Sequence, residues 1–497
     1  MAGAAARWTT GYGVNGQTFR SAIFIAAIFG LYLATAMLIP AMVDLYYVNE
    51  DWKAFSFSAF FIGGISMAAA LSTRGNPAPF SKRLGFLVVN LLWVTLAIAG
   101  AVPFYLSSVD IGIVDSLFES VSAVTTTGST VISGLDHIAP GILMWRSLLQ
   151  WIGGIGIVAL GLLMLPFLRI GGFSYFKMES SDTSEKPFAR FTVFVQAFFA
   201  IYFGLTAVCA VLYGTFGMGT FDAINHAMTT VATAGFSTRD ASFGAFDSLP
   251  LLWTATVFMA VSGLPYSVLI LFAARGRLDA LKDPQILAYG VIMASAVLSA
   301  TVYLRLANGE TFSEAITLAA FNMVSVVTTT GYASGDYSQW GPFIFVLVFF
   351  LTFLGGCSGS TSGGIKIYRV VIVQSVIRAG IRRLIYPHGV QNIRYGSMPL
   401  DAEMVRAVFL FLSSFLALWA IGSIALAATG LDFVTATSGS LTAVANLGPG
   451  LGDLIGPAGN FAILNNPAKI ILSVLMLMGR LEILVMLVLF SPLFWRA

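Results

Sequence analysis

Ser122-Ala123-Val124-Thr125-Thr126-Thr127-Gly128 decides how this chain is read, because the pattern returns three times. The other copies are Thr229-Thr230-Val231-Ala232-Thr233-Ala234-Gly235, Ser325-Val326-Val327-Thr328-Thr329-Thr330-Gly331 and Thr442-Ala443-Val444-Ala445-Asn446-Leu447-Gly448. Counted back from the glycine, position −6 is always Ser or Thr and position −4 is always Val. The glycines are separated by 107, 96 and 117 residues, a period that implies four copies of one structural unit. A β-branched run ending in Gly, repeated four times, implies a ring of backbone carbonyls, which is how a filter replaces an ion's hydration shell. One copy alone would read as a packing segment with a helix stop. Glycine at each end permits the positive φ needed to aim carbonyls at one axis.

Composition agrees. Of 497 residues, 57% are hydrophobic and 10% charged, against about 25% charged in a soluble domain. The chain therefore reads as an all-α integral membrane protein. A net charge of +3, with no basic run interleaved with aromatics, gives no reason to expect nucleic acid. Cys209 and Cys357 lie in separate repeats and imply no disulfide framework, and His137, His226 and His388 have no metal-ligand spacing. The first apolar run, about 21–43, is long enough to span a bilayer and reads as a retained helix rather than a cleaved signal.

The order along the chain is then ten spans. Two, near 21–43 and 54–71, form an extension over 1–83. Each repeat follows as span, short half-helix, Gly-ended loop, span, and the repeats cover 84–176, 177–280, 281–395 and 396–497. The half-helices, 115–124, 222–231, 314–327 and 432–444, are too short to cross a bilayer and read as re-entrant. Their carboxyl ends carry partial negative charge towards a cation on the axis. The second spans are expected to run unbroken over 140–168, 248–274 and 467–493, while that of the third repeat, 342–385, is interrupted. With the amino terminus inside, cytoplasmic segments hold 20 of the 26 Lys and Arg and outside segments five, Arg480 lying within a span. Both termini are thus expected in the cytoplasm and all four loops enter from outside.

The candidate ion-binding residues are Thr126, Thr127 and Gly128; Thr233, Ala234 and Gly235; Thr329, Thr330 and Gly331; and Asn446, Leu447 and Gly448. Position −3 is Thr125 and Thr328 in two copies but Ala232 and Ala445 in the others. Only two copies then offer a hydroxyl at the inner mouth, which predicts modest discrimination between potassium and sodium. Asp240, Asp336 and Asp453, each five residues after its glycine, and Asp136, read either as a cation-concentrating vestibule or as solvated loop residues.

Below the loops, Gly355-Gly356-Cys357-Ser358-Gly359-Ser360-Thr361-Ser362-Gly363-Gly364 interrupts a span; five glycines and four hydroxyls in ten residues do not form a stable straight helix. From Pro342, thirteen residues at about 1.5 Å each reach roughly mid-membrane, where a mobile segment would obstruct a pore. Gly355, Gly356, Gly359, Gly363 and Gly364 are candidate gate residues. Arg480 joins them: a charge at the centre of a span is costly, and below a cation filter it acts as an electrostatic barrier. Glu482, two residues on, faces another side of the helix and is a poor partner for it. Arg378, Arg382, Arg383, His388 and Arg394 form a basic surface suited to lipid headgroups or a soluble partner.

The four copies, the run 355–361 with Gly363-Gly364-Ile365-Lys366, Asn446-Leu447-Gly448-Pro449-Gly450-Leu451-Gly452 and Arg480 together resemble the Trk/Ktr/HKT superfamily of potassium transporters, and within it the TrkH type. The two leading spans are similar to those of that type. The resemblance implies potassium uptake, whether channel-like or by symport, through a pseudo-four-fold pore at the cell inner membrane. It implies a homodimer gated by a cytosolic TrkA-type nucleotide-binding subunit, with potassium as the bound ion and no organic cofactor in this chain. It gives the glycine-rich break the role of intramembrane gate and puts Arg480 beneath the filter. In plant relatives serine at the first filter glycine goes with sodium selectivity, so Gly128 favours potassium. One departure is Ala234-Gly235 where many relatives have Gly-Gly. The alternatives are a sodium or mixed-ion translocator of the same architecture, and an integral-membrane enzyme, for which no paired acids or nucleophile–base set is visible.

Overall fold

The computed structural model describes residues 16–79, 81–168, 187–276, 278–389 and 392–496. The expected boundary between repeats at 176/177, and most of the basic segments 1–20 and 169–190, lie outside them. The described chain is helical apart from loops and one small hairpin, β1 (Arg394–Tyr395) paired antiparallel with β2 (Met398–Pro399).

The extension comprises α1 (Gly16–Ala36), α2 (Leu38–Tyr46) and α3 (Trp52–Thr73). The first repeat holds α4 (Lys82–Leu106), α5 (Ile113–Val124) and α6 (Pro140–Leu168); the second holds α7 (Pro187–Thr215), α8 (Thr220–Val231), α9 (Leu249–Ser262) and α10 (Tyr266–Arg275). The third holds α11 (Pro284–Ala307), α12 (Phe312–Val327), α13 (Pro342–Leu351) and α14 (Ile367–Ile385); the fourth holds α15 (Ala402–Ala428), α16 (Phe433–Ala445), α17 (Asn466–Arg480) and α18 (Leu484–Leu487). Among the described residues, seven helices are long and apolar enough to cross a membrane, or nine if each of two bent pairs is one span.

Local chemistry sets these boundaries. Every second span begins with proline in its first turn (Pro140, Pro250, Pro342, Pro467), where the missing N–H costs nothing. The short helices α5, α8 and α12 carry Asp115, Asp222 and Glu314 in the first turn, at the positive end of the dipole. Thr311 and Glu314 close a capping box on α12, and Asp432 caps α16 through the amides of Val434 and Thr435.

Two of the expected straight spans are broken. The second span of repeat two bends by 100° between α9 and α10, and that of repeat four by 105° between α17 and α18. At the first bend Pro265 supplies no amide and is extended at ψ 126°. At the second, Glu482 and Ile483 take positive φ of 58° and 42°, which ends the helix without any glycine or proline.

Packing closes the repeats into a ring. The second span of repeat one lies on α8, that of repeat two on α12, and that of repeat four on α5. The extension is fastened to this ring: α1 packs on α4, α2 packs on α6, and buried Asp44 accepts the Gly141 amide at 2.6 Å at the start of α6.

Candidate ion filter and the segment beneath it

The four Gly-ended loops share one backbone. The amide at position −1 bonds the −6 carbonyl in each copy: Thr127 to Ser122 at 2.9 Å, Ala234 to Thr229 at 3.0 Å, Thr330 to Ser325 at 2.8 Å and Leu447 to Thr442 at 3.0 Å. The −2 amide bonds the −5 carbonyl in each copy, at 3.0 Å in three and 3.3 Å in the fourth. Thr126, Thr233, Thr329 and Asn446, all at −2, take φ of 52°, 49°, 55° and 54°. The glycines follow at φ 91°, 77°, 84° and 108°. For a β-branched threonine a positive φ is a true outlier, costing about 1–3 kcal/mol, and persists only where the surroundings over-determine it. Three such threonines, with Asn446 at the matched position of the fourth copy, mark a backbone held for a purpose.

The glycines meet in a cycle. A Cβ on Gly128 would strike the Ala234 carbonyl oxygen, one on Gly235 that of Thr330, one on Gly331 that of Leu447, and one on Gly448 would stand 2.9 Å from that of Thr127. Each glycine thus gives room to the −1 carbonyl of the next copy, and the cycle returns to its start. Short helices α5, α8, α12 and α16 end directly in these loops, so four negative dipole ends converge there.

A buried polar residue at −9 fixes the outer limb of three loops. Glu119 accepts from Thr130 Oγ1 at 2.9 Å, the Val131 amide at 2.9 Å and Arg146 Nε at 2.8 Å. His226 Nε2 bonds Ser237 Oγ at 2.9 Å, and Asn322 bonds the Ser334 hydroxyl at 2.7 Å and its amide at 3.2 Å. In the fourth copy −9 is Gly439, and Ser438 beside it accepts from the Leu451 amide at 3.1 Å. Gln150 holds the second loop on both sides of its glycine, donating to Ala234 O at 2.7 Å and accepting from the Phe236 amide at 3.0 Å. Sequence reading singled out neither Gln150 nor the −9 residues as site residues; aligning the four copies on their glycines exposes the −9 set, and nothing local exposes Gln150.

The −3 hydroxyls, expected at the inner mouth, are each bonded within their own copy. Thr125 Oγ1 donates to Val121 O at 2.7 Å and lies 2.7 Å from Thr127 Oγ1; Thr328 repeats this with Val324 O at 2.8 Å and Thr330 Oγ1 at 2.7 Å. Both point back along their helices, so the difference from Ala232 and Ala445 is a difference in helix-end bonding. The outer aspartates are also engaged. Asp136 pairs with Arg239 at 3.1 Å, Asp240 accepts from the Gly134 amide at 3.0 Å, Asp336 from the Ser338 amide at 3.0 Å and Asp453 from Gln339 at 3.4 Å. Hydrogen bonds to Asp222 first, then Asp136, hold the Arg239 guanidinium above its ordinary pKa. These bonds favour stitched loop rims over a ring of free carboxylates.

Directly beneath, the segment 355–364 engages three copies. Thr361 Oγ1 accepts from Thr233 Oγ1 at 2.9 Å, the Gly363 amide donates to Thr329 Oγ1 at 2.6 Å, and the Gly364 amide donates to Ala445 O at 2.8 Å. The segment also locks into the bend of repeat two: Cys357 N bonds Gly263 O at 2.9 Å, and Tyr266 N bonds Gly359 O at 3.0 Å. Gly355 N pairs with Ile365 O at 3.1 Å and Gly356 O accepts from Ile367 N at 3.2 Å, closing the base of the loop. Lys366 Nζ binds the Ser360 carbonyl at 3.5 Å and the Ser362 carbonyl at 2.5 Å. The remaining copy, the first, is met by Arg480, whose Nη2 donates to Thr126 Oγ1 and, at 2.6 Å, to Thr361 O. Arg480 has no carboxylate partner among the described residues, and its Nε is unbonded. Glu482 turns instead to Arg369, at 2.5 Å, while the Arg369 guanidinium lies 3.5 Å above the Phe411 ring.

The TrkH family profile, described as a cation transport protein, matches residues 31–289 and 291–496. The Trk system potassium uptake protein TrkI of Halomonas elongata is 42% identical over 473 residues, 95% of this chain and 96% of that one. The Trk system potassium uptake protein TrkH of Vibrio parahaemolyticus is 36% identical over 490 residues, 96% of this chain and 100% of that one. The crystal structure of the potassium transporter TrkH from Vibrio parahaemolyticus superposes with a TM-score of 0.90, covering 96% of this chain and all of that one.

Proposed function

This chain belongs to the TrkH family of cation transport proteins and is a transporter rather than an enzyme; on that premise we propose that it takes up potassium through a filter built from its four Gly-ended loops. The observation that carries this reading is the closed cycle in which each loop's glycine makes room for the −1 carbonyl of the next. A ring of backbone dipoles fixed by −1 to −6 hydrogen bonds can substitute for hydration without rearranging as an ion enters. Potassium would be bound at 126–128, 233–235, 329–331 and 446–448.

The segment 355–364 and Arg480 act as the gate, in the closed position. Arg480 sits where a cation leaving the ring would next arrive, and a guanidinium there repels it. Opening requires breaking the bonds from Thr361, Gly363, Gly364 and Arg480 to the loops above. A cytosolic nucleotide-binding subunit supplies that work, and the functional unit is a homodimer of ten-span subunits in the inner membrane with both termini cytoplasmic. The name "Trk system" of the relatives speaks for a multi-component assembly.

The test is uptake by cells lacking their own potassium uptake systems. Expression of the chain should restore growth at low potassium, and substitution of Gly235 by Val should abolish it at equal membrane abundance. Growth unaffected by that substitution would remove the second loop from the filter. The mixed-ion reading rests on the −3 difference, and the two −3 hydroxyls are each bonded within their own copy.

A further inference from the structure

A cleft of about 830 Å³ lies between α11 and α14, on the face away from the loop entrance. Its depth follows from connectivity: the last residue of α11, Ala307, leads into α12 at the entrance, so its first turns, Pro284 to Ile292, lie at the opposite boundary. Leu287, Val291 and Ile292 form one wall; Arg378, Arg382 and Arg394 rim the other. No carboxylate is among the lining residues.

The cleft is built rather than incidental. The β1–β2 hairpin closes it, pinned by Tyr395 Oη to Asp283 Oδ1 at 2.5 Å and by Ser375 Oγ to the Arg394 carbonyl at 2.8 Å. The hairpin glycine, Gly396, lies against Pro284. None of the three guanidiniums has an ion-pair partner among the described residues, although Arg369 and Arg239 elsewhere do.

One apolar track leaves it towards the membrane interior, along α11. On α11, Leu287, Val291, Leu298 and Val302 are all exposed along one face. On α14, exposed Ile377, Ile381 and Leu384 interleave with the arginines. Guanidiniums at a membrane boundary with exposed aliphatic stripes beside them match a molecule that is anionic at one end and hydrocarbon along its length.

We propose that this cleft binds an anionic phospholipid of the surrounding bilayer, its phosphodiester held by Arg378, Arg382 and Arg394 and one acyl chain lying along the Leu287–Val291–Leu298–Val302 face. The site stands apart from the filter, so its failure leaves the transport reading untouched.

The test is native mass spectrometry of the full chain released from nanodiscs holding equal phosphatidylglycerol and phosphatidylcholine. Wild type should retain phosphatidylglycerol preferentially, and each of Arg378→Gln, Arg382→Gln and Arg394→Gln should lower that retention roughly fivefold. Val291→Trp, which narrows the cleft and leaves every charge, should lower it as well, while Arg383→Gln should not. Excess inorganic phosphate should fail to displace the lipid. Equal retention of both lipids, retention unchanged in the arginine variants and in Val291→Trp, or displacement by free phosphate would each overturn the proposal. So would a loss of dimer in step with loss of lipid, which would give the cleft to a second copy of the chain.

Discussion

At the scale of single residues, the glycine cycle and Arg480 make the sharpest demands. Gly128→Ser adds a Cβ towards the Ala234 carbonyl at φ 91°. The strain of about 1–3 kcal/mol falls on the proposed ion site, so the potassium-over-sodium permeability ratio should drop by about tenfold or more. Bilayer reversal potentials check this, and an unchanged ratio would take Gly128 out of the filter. Arg480→Ala removes the bonds to Thr126 and Thr361 together with the charge, and should raise basal flux. A folded variant with unaltered flux would give the arginine a purely structural role. Asn322→Ala leaves the Ser334 amide and hydroxyl unpartnered. Thermal unfolding in detergent should register a loss of about 1–3 kcal/mol, with impaired selectivity. The glycines were legible in the sequence because only glycine tolerates both the φ and the close approach. The threonines at positive φ were not, since threonine's own preference opposes that geometry and only the assembled ring imposes it. The partner of Glu482 was likewise invisible: it stands 113 residues away at Arg369.

At the scale of elements, the short helices were readable from length and from the Gly-ended stop, and the structure places them at Ile113–Val124, Thr220–Val231, Phe312–Val327 and Phe433–Ala445. The interruption at 355–364 was readable from composition alone. The bends in repeats two and four were not. Ser262-Gly263-Leu264-Pro265 is a modest signal inside an apolar run, and Leu481-Glu482-Ile483 carries none: its positive φ values accompany an ion pair from Glu482 to Arg369, far away in sequence. This element-level reading predicts that removing Ser358 to Ser362 yields flux that no cytosolic partner is needed to open. Uptake in cells lacking the proposed nucleotide-binding subunit measures it, and a variant that stays closed would sink the gate assignment. Glu482→Gln should loosen the join between repeats three and four, and the same assay should show a smaller rise in flux.

At the scale of the whole molecule, four sequence units separated by about a hundred residues become one ring because each second span packs on the next repeat's short helix, or, from repeat three to four, through Gly364 and Ala445. That closure was implied by the repeats but its contacts were not, since Lys469 of α17 pairs with Asp115 of α5 and Arg146 of α6 donates to the Ser237 carbonyl of repeat two at 2.8 Å. The most direct measurement is potassium and sodium flux into liposomes holding only the chain with 358–362 removed, beside the same protein carrying Gly128→Ser. The predicted result is potassium-selective flux that loses its selectivity when Gly128 is replaced. Equal passage of both ions through the gate-shortened chain, with all four glycines intact, would contradict the filter.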